Sequence, residues 1–124
     1  MKKILLGAAA ALVMGISGAA NAEIVRLPYV TVADALLNDG SSFGGCLARI
    51  NFNVANSAPS CKGAATSYVA FSCTGDLQNT ETAEKLFEIA QMALLTGKKV
   101  RFEVDTNRMH NGYCMVTRAE LSAN

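Results

Sequence analysis

Residues 80–96 read TETAEKLFEIAQMALLT, and their apolar side chains recur at helical spacing. Asn79 or Thr80 can cap the start of a helix here, and Gly97 with Lys98 and Lys99 after it is typical of a helix end. The positions expected on one apolar stripe are Ala83, Leu86, Phe87, Ala90, Ala93 and Leu94, which Ile89, Met92 and Leu95 widen. The pattern predicts one amphipathic helix at about 80–96 that is deeply buried or packs on two surfaces.

Short apolar runs flank this helix on both sides and predict five strands. They cover 24–32, 45–54, 67–74, 99–105 and 112–121, and turn-rich stretches separate them. Pro28 makes the first of them an edge strand or a bulged one. The order β-β-β-α-β-β is that of an OB-fold, a five-stranded, partly open barrel, although other small α+β folds share it. We therefore expect an α+β, mainly β, OB-fold-like barrel.

The first 22 residues have the three parts of a secretory signal peptide. Lys2 and Lys3 precede an apolar run over 4–16, and the small-residue sequence Ala-Asn-Ala occupies 20–22. The apolar run is too short to span a bilayer comfortably, so no stable membrane anchor is expected. We predict a signal peptide at 1–22 and a single disulfide-stabilised domain at 23–124, in the periplasm or secreted.

The domain at 23–124 contains four cysteines, Cys46, Cys61, Cys73 and Cys114. An even number of cysteines in a small exported domain is typical of disulfides, and four cysteines allow three pairings. Cys46 and Cys73 are in phase with the apolar positions of two strands that form a predicted hairpin, so Cys46–Cys73 and Cys61–Cys114 is the favoured pairing. A zinc site is disfavoured because its cysteines usually come in close pairs.

Charge and motif content argue against several classes of function. The formal net charge of +1 becomes −1 without Lys2 and Lys3, and the basic residues are scattered, which disfavours nucleic-acid binding. His110 lies in a polar stretch without a matching nucleophile. Asp105 and Glu103 share a strand face and are expected to point outward as ordinary surface carboxylates. We expect no catalytic residues, no metal and no cofactor.

The candidate ligand-binding residues are three tyrosines and one turn. Tyr29, Tyr68 and Tyr113 lie beside polar loops, and aromatic rings with a polar end suit a sugar or a peptide. The same tyrosines also suit half-buried packing on their strands. His110 and Asn111 precede Gly112 in a predicted tight turn.

The second half of the chain resembles the pentameric B subunits of secreted bacterial toxins, the cholera-toxin-like and subtilase-toxin-like families. The resemblance rests on residues 84–86 (EKL) and 93–100 (ALLTGKKV), and the ending at 121–124 (LSAN) is similar to the cholera-type ending. It implies an OB-fold, a ring of five with the helices at its centre, glycan binding and a toxin A subunit as partner. The chain is also similar to small exported OB-fold proteins of marine gammaproteobacteria.

Two features depart from the toxin families. The cholera-type sugar site uses a tryptophan, and this chain has none. The disulfide pattern also differs, so no sugar-binding residue carries over. The sequence predicts an exported, non-enzymatic binding domain that is oligomeric and binds a cell-surface glycan. The alternative is a periplasmic structural or inhibitory protein that acts through protein–protein contacts.

Overall fold

The computed structural model describes residues 23–123. Within this range there are six strands, one α-helix and two short 3-10 turns, at Ser42–Gly45 and Val54–Asn56. In chain order the main elements are β1 (Ile24–Arg26), β2 (Val32–Leu37), β3 (Cys46–Ile50), β4 (Tyr68–Ala70), α1 (Thr80–Thr96), β5 (Val100–His110) and β6 (Tyr113–Leu121). This composition confirms the predicted α+β, mainly β class. The predicted signal peptide, 1–22, lies outside the described residues.

The strands of residues 23–123 form one mixed sheet in the order β1-β5-β6-β4-β3-β2. Neighbouring strands are antiparallel except β4 and β6, which run parallel where Ala70 lies opposite Met115. β1 and β2 follow one another in the chain, yet they form the two opposite edges of the sheet. The sheet is therefore not closed as a continuous ladder.

The sheet has six strands where the sequence predicts five. Of the first predicted strand, 24–32, only Ile24–Arg26 forms a continuous strand before Pro28, and a further strand, Val32–Leu37, extends beyond the predicted end. Proline has no backbone N–H and interrupts a strand ladder. Leu27 N donates to Phe102 O at 2.9 Å, and Val30 N donates to Val100 O at 2.8 Å. The chain then leaves β5, and Val32 lies opposite Ile50 of β3. One run of sequence thus pairs with two different strands.

Two other predicted strands are shorter than the sequence suggests. β3 ends at Ile50 rather than at 54, because Asn53 accepts a hydrogen bond from Ala55 N at 3.0 Å and starts a 3-10 turn. β4 ends at Ala70 rather than at 74, because Ser72 has a left-handed φ of 54°. Local side-chain and backbone geometry therefore ends both strands early.

The helix α1 has the bounds and the caps that its sequence predicts. Asn79 accepts a hydrogen bond from Thr82 N at 3.2 Å, and Gly97 ends the helix with a φ of 71°. The buried side of α1 consists of Ala83, Phe87, Ala90 and Ala93. Of the three residues expected to widen the apolar surface, Ile89 is half-buried against the core, whereas Leu95 is 84% and Met92 48% accessible.

The main core lies between α1 and the inner face of the sheet. Phe71 is fully buried, with its ring centroid 5.4 Å from Phe87 of α1 and 5.9 Å from Phe102 of β5. Both ring pairs have the edge-to-face geometry that aromatic side chains prefer. Phe71 thus joins the helix, the segment after β4 and the centre of the sheet.

The disulfides pair Cys46 with Cys73 and Cys61 with Cys114, which is the pairing favoured from the sequence. The first joins the start of β3 to the segment after β4, and the second joins the loop 51–67 to β6. Two disulfides in a small domain are typical of an oxidising compartment. In residues 23–123 no helix is long and apolar enough to cross a membrane.

Candidate functional site

A second, smaller group of apolar side chains lies on the outer face of the sheet. Leu47 of β3 and Ala70 of β4 lie opposite each other and are buried. They alternate along their strands with inward-facing residues, so they face away from α1. The ring of Tyr113 covers them and is itself 6% accessible.

Three rings meet on this outer face, and we call Phe43, Tyr68 and Tyr113 the aromatic cluster. The Tyr113 centroid lies 5.6 Å from Phe43 and 5.7 Å from Tyr68, with interplanar angles of 52° and 53°. Tyr113 is buried in the middle, whereas Phe43 and Tyr68 are half-buried at its sides. The cluster therefore presents the two outer rings to solvent on a fixed central ring.

Tyr113 is held from the side of the loop 51–67. Its hydroxyl oxygen accepts a hydrogen bond from Ala65 N at 3.1 Å. Gly63 lies against the ring so closely that a Cβ there would be 2.0 Å from Tyr113 Cε1. The Cys61–Cys114 disulfide fixes this loop beside β6. Ring, loop and disulfide thus form one rigid unit.

The turn between β5 and β6 holds the other side of the cluster. Asn111 and Gly112 have left-handed φ values of 56° and 86°, as a tight hairpin turn with Asn-Gly requires. The Asn111 side-chain oxygen accepts a hydrogen bond from Phe43 N at 3.3 Å. Within residues 23–123 nothing accepts from the Asn111 side-chain NH₂. One polar donor is therefore available beside the aromatic cluster.

His110 packs against the glycine beside Phe43. A Cβ on Gly44 would lie 2.5 Å from His110 Cδ2, so this close approach needs glycine, whose φ is 76°. His110 Nε2 is buried without a hydrogen-bond partner among the described residues. Burial lowers the pKa of His110, and the Asp76 carboxylate opposes this effect only in part. Burial therefore favours the neutral form of the imidazole.

The structure brings together four of the five predicted ligand-binding residues. Tyr68, Tyr113, His110 and Asn111 meet at the end of β5 and the start of β6. Tyr29 does not belong to this group, because it lies between β1 and β2, next to the beginning of β5. There its ring stacks on Arg101, whose Cζ is 4.6 Å from the ring centroid. Tyr29 is 44% accessible and has a packing partner of its own.

The sequence prediction missed Phe43. Its loop was assigned as a turn, and Phe43 has a left-handed φ of 55° that no periodicity reveals. A large aromatic residue directly before Gly44 and Gly45 is the signal that was available. Thr74 N donates to Gly44 O at 3.1 Å, so the segment after β4 supports the backbone of this loop.

The expectation that Asp105 points outward as a surface carboxylate was wrong. Asp105 is 1% accessible and forms an ion pair with Arg108 at 2.8 Å. Its other oxygen accepts from Asn107 N at 2.8 Å. Glu103 is paired with Arg26 at 3.0 Å. A buried carboxylate requires such partners, and Arg108 and Asn107 supply them to Asp105.

The remaining candidates for chemistry are metal ligands and cysteine thiols. In residues 23–123 no group of three His, Cys, Asp or Glu side chains is placed to hold a metal ion. The sulfurs of all four cysteines are in disulfides, so none is a thiolate. What the site offers is apolar ring surface with an amide donor at its edge, which suits noncovalent binding.

Comparison with known proteins gives no relative: no protein family, curated protein or solved structure matches this chain.

Proposed function

We propose that the chain is an exported, non-enzymatic binding domain whose aromatic cluster binds a glycan. The observation that carries the proposal is the convergence of Phe43, Tyr68 and Tyr113 with the free Asn111 amide on one outer face. Binding sites are mostly apolar and aromatic, with a few polar groups that fix orientation. The apolar face of a sugar ring can stack on Tyr68 or Phe43, and a sugar hydroxyl can accept a hydrogen bond from the Asn111 side-chain NH₂.

The strand connections support an OB-type barrel for this domain. Val30 still bridges to Val100 of β5 when Val32 begins to pair with β3, so β1 and β2 act as two halves of one bent strand. Counted in this way, the number of strands is the five of an OB-fold. The parallel β4–β6 pair and a helix between the third and fourth strands follow the same topology.

The position of the aromatic cluster agrees with that topology. OB-folds bind oligosaccharides and oligonucleotides on the face of their second and third strands and on the first and last loops. The corresponding elements here are β3, β4, the loop 38–45 and the turn at 111–112. Tyr68 lies on β4, Phe43 lies in that loop, and Asn111 forms that turn. The net charge near −1 of residues 23–124 favours a glycan over a nucleic acid.

A glycan array with the oxidised protein, residues 23–124, tests this function. We expect saturable binding to at least one class of glycan, and this binding should be lost when both disulfides are reduced. Absence of binding above background on the whole array would contradict the proposal. Reduced protein serves as the control. Reduction releases the loop beside Tyr113, so specific binding should be lost, whereas nonspecific binding should persist.

The resemblance to toxin B subunits suggests an oligomer. We propose a homo-oligomer, a pentamer if the toxin resemblance holds, with a toxin A subunit as partner. Light scattering on the oxidised protein should give a multiple of the subunit mass, and a monomer mass would contradict it.

Exposed apolar side chains on α1 support a second candidate, a structural or inhibitory periplasmic protein that acts through protein–protein contacts. Leu95 is 84% and Met92 48% accessible. A pull-down with the oxidised protein should then recover one partner in stoichiometric amount. Recovery of no stoichiometric partner would contradict this candidate.

A further inference from the structure

A cavity of about 210 Å³ lies between α1 and the end of β2, away from the aromatic cluster. Its apolar lining comes from Leu37 of β2, Phe87 of α1 and Cys73, and Glu84, Glu88 and Gln91 of α1 complete it. Leu37 is 73% accessible, so a large part of this apolar surface is open to solvent. The cavity is smaller than a typical small-molecule site of about 300–1,000 Å³. Its size suits one side chain of a partner.

The carboxylates at this cavity have no cation of their own. Glu84 and Glu88 are one helical turn apart, and within residues 23–123 neither forms an ion pair or a hydrogen bond through its side chain. Glu81, on the same helix, differs because it pairs with Lys85 at 3.9 Å. An apolar wall with two free carboxylates matches a lysine or arginine side chain, which packs its methylene stem on apolar surface and keeps its charged end in water.

A further exposed apolar side chain, Leu95, lies beyond the cavity on the same side of α1. Glu84, Glu88, Gln91 and Leu95 follow one another at spacings of four, three and four residues, which places them on one helix face. Leu95 is 84% accessible. Seven residues of helix from Glu88 to Leu95 span roughly 10 Å, which is also the length of about three residues of an extended chain.

We propose that this surface, which we call the acidic groove, binds a partner polypeptide through a lysine or arginine in the cavity and an apolar residue three positions away on Leu95. The inference rests on the protein-contact candidate and is independent of glycan binding. A second copy of the chain is the less favoured occupant, because its net charge near −1 does not complement an acidic surface.

The first test is an NMR titration of the oxidised ¹⁵N-labelled protein, residues 23–124, with defined peptides. The probes are Ac-Lys-Thr-Thr-Leu-NH₂, its reversed sequence, and the matched peptides with norleucine or glutamate in place of lysine. We expect at least one lysine peptide to shift the amides of Leu37, Glu88 and Leu95 in a saturable manner. The norleucine peptide should bind several-fold more weakly, and the glutamate peptide should bind most weakly. Equal binding of the lysine and norleucine peptides would overturn the proposal, as would shifts confined to other residues.

Matched variants separate the groove from the general charge of the helix. Glu84→Gln and Glu88→Gln should each weaken lysine-peptide binding by about threefold at low salt, as exposed ion pairs do. Glu81→Gln, which removes the same charge from the same helix, should leave the affinity unchanged. A similar loss in all three variants would contradict a specific site. If the amide shifts of the groove residues change with protein concentration in the absence of peptide, the groove binds a second copy of the chain instead.

The pull-down distinguishes the failure of this inference from that of the protein-contact function. A partner that is recovered by the wild type and lost with the Glu84→Gln/Glu88→Gln double variant supports the acidic groove. A partner recovered equally by both proteins overturns the groove and leaves the protein-contact function in place.

Discussion

Replacing Gly63 by alanine tests the packing of the aromatic cluster from its loop side. The added Cβ would lie 2.0 Å from Cε1 and 2.2 Å from Cδ1 of Tyr113. Carbon atoms in contact prefer separations of about 3.5–4.0 Å, so the ring has to move by more than about 1 Å. That movement also breaks the hydrogen bond between Ala65 N and the Tyr113 hydroxyl, which is 3.1 Å long.

Both effects lower the free energy of unfolding. Overpacking of a filled site costs about 1–3 kcal/mol. A lost hydrogen bond adds about 1 kcal/mol, which brings the expected loss to about 2–4 kcal/mol. Urea denaturation of the oxidised protein, followed by circular dichroism, measures this difference directly from the shift in midpoint.

Gly40→Ala is the matched control for Gly63→Ala. No heavy atom lies within 4 Å of a Cβ at Gly40, so the same substitution there should change stability by less than about 0.5 kcal/mol. Gly63→Ala in a Tyr113→Ala background should also cost little, because the clashing ring is gone. Equal midpoints for Gly63→Ala and Gly40→Ala in the wild-type background would refute the packing of Tyr113 described above.

Three further predictions concern the helix cap, the pH dependence of stability and the disulfide that closes the longer loop. Asn79→Ala removes the acceptor for Thr82 N and should cost about 1 kcal/mol in urea denaturation, so an unchanged midpoint would contradict the cap. Burial lowers the pKa of His110 below its ordinary 6.5, so the unfolded chain binds a proton first as the pH falls. The stability contributed by neutral His110 is therefore complete above pH 6.5 and decreases below it. His110→Gln should weaken this dependence between pH 7.5 and 5.5, and identical pH profiles would contradict the assignment. The Cys61–Cys114 disulfide closes 53 positions of chain, so Cys61→Ser with Cys114→Ser should cost about 4 kcal/mol. A loss below about 1 kcal/mol in urea denaturation would contradict its role in fixing the loop.

The elements that depend on neighbours in sequence could be predicted. Helix α1 follows from a regular apolar stripe with Asn79 before it and Gly97 after it, and all of these signals act within a few residues. The β5–β6 hairpin follows from Asn111-Gly112, since this dipeptide adopts the left-handed φ values that its turn requires. In both cases the local chemistry is sufficient to determine the local structure.

The features that depend on distant contacts could not be predicted in the same way. β1 pairs with β5, whereas β2, which follows it, pairs with β3. This change of partner depends on two strands that lie far apart in the sequence. Alternation places Asp105 on the outer side of β5, but the pairing of β5 with β6 shifts register between Glu103 and Val104. The buried Asp105 carboxylate is then paired with Arg108 and with Asn107 N. Phe43 joins the aromatic cluster because its backbone turns at a left-handed φ, which alternation of apolar residues does not report.

The central claim is that the aromatic cluster binds a glycan, and two matched tyrosine variants test it most directly. Tyr68→Ala removes an outer ring of the cluster, whereas Tyr29→Ala removes an exposed ring that stacks on Arg101 at the other end of β5. On one glycan array, we predict that Tyr68→Ala weakens the wild-type binding by about two- to tenfold, on the scale of a stacking contact of about 0.5–1.5 kcal/mol, and that Tyr29→Ala retains it. Equal retention by both variants, or an equal loss in both, would contradict glycan binding at the aromatic cluster.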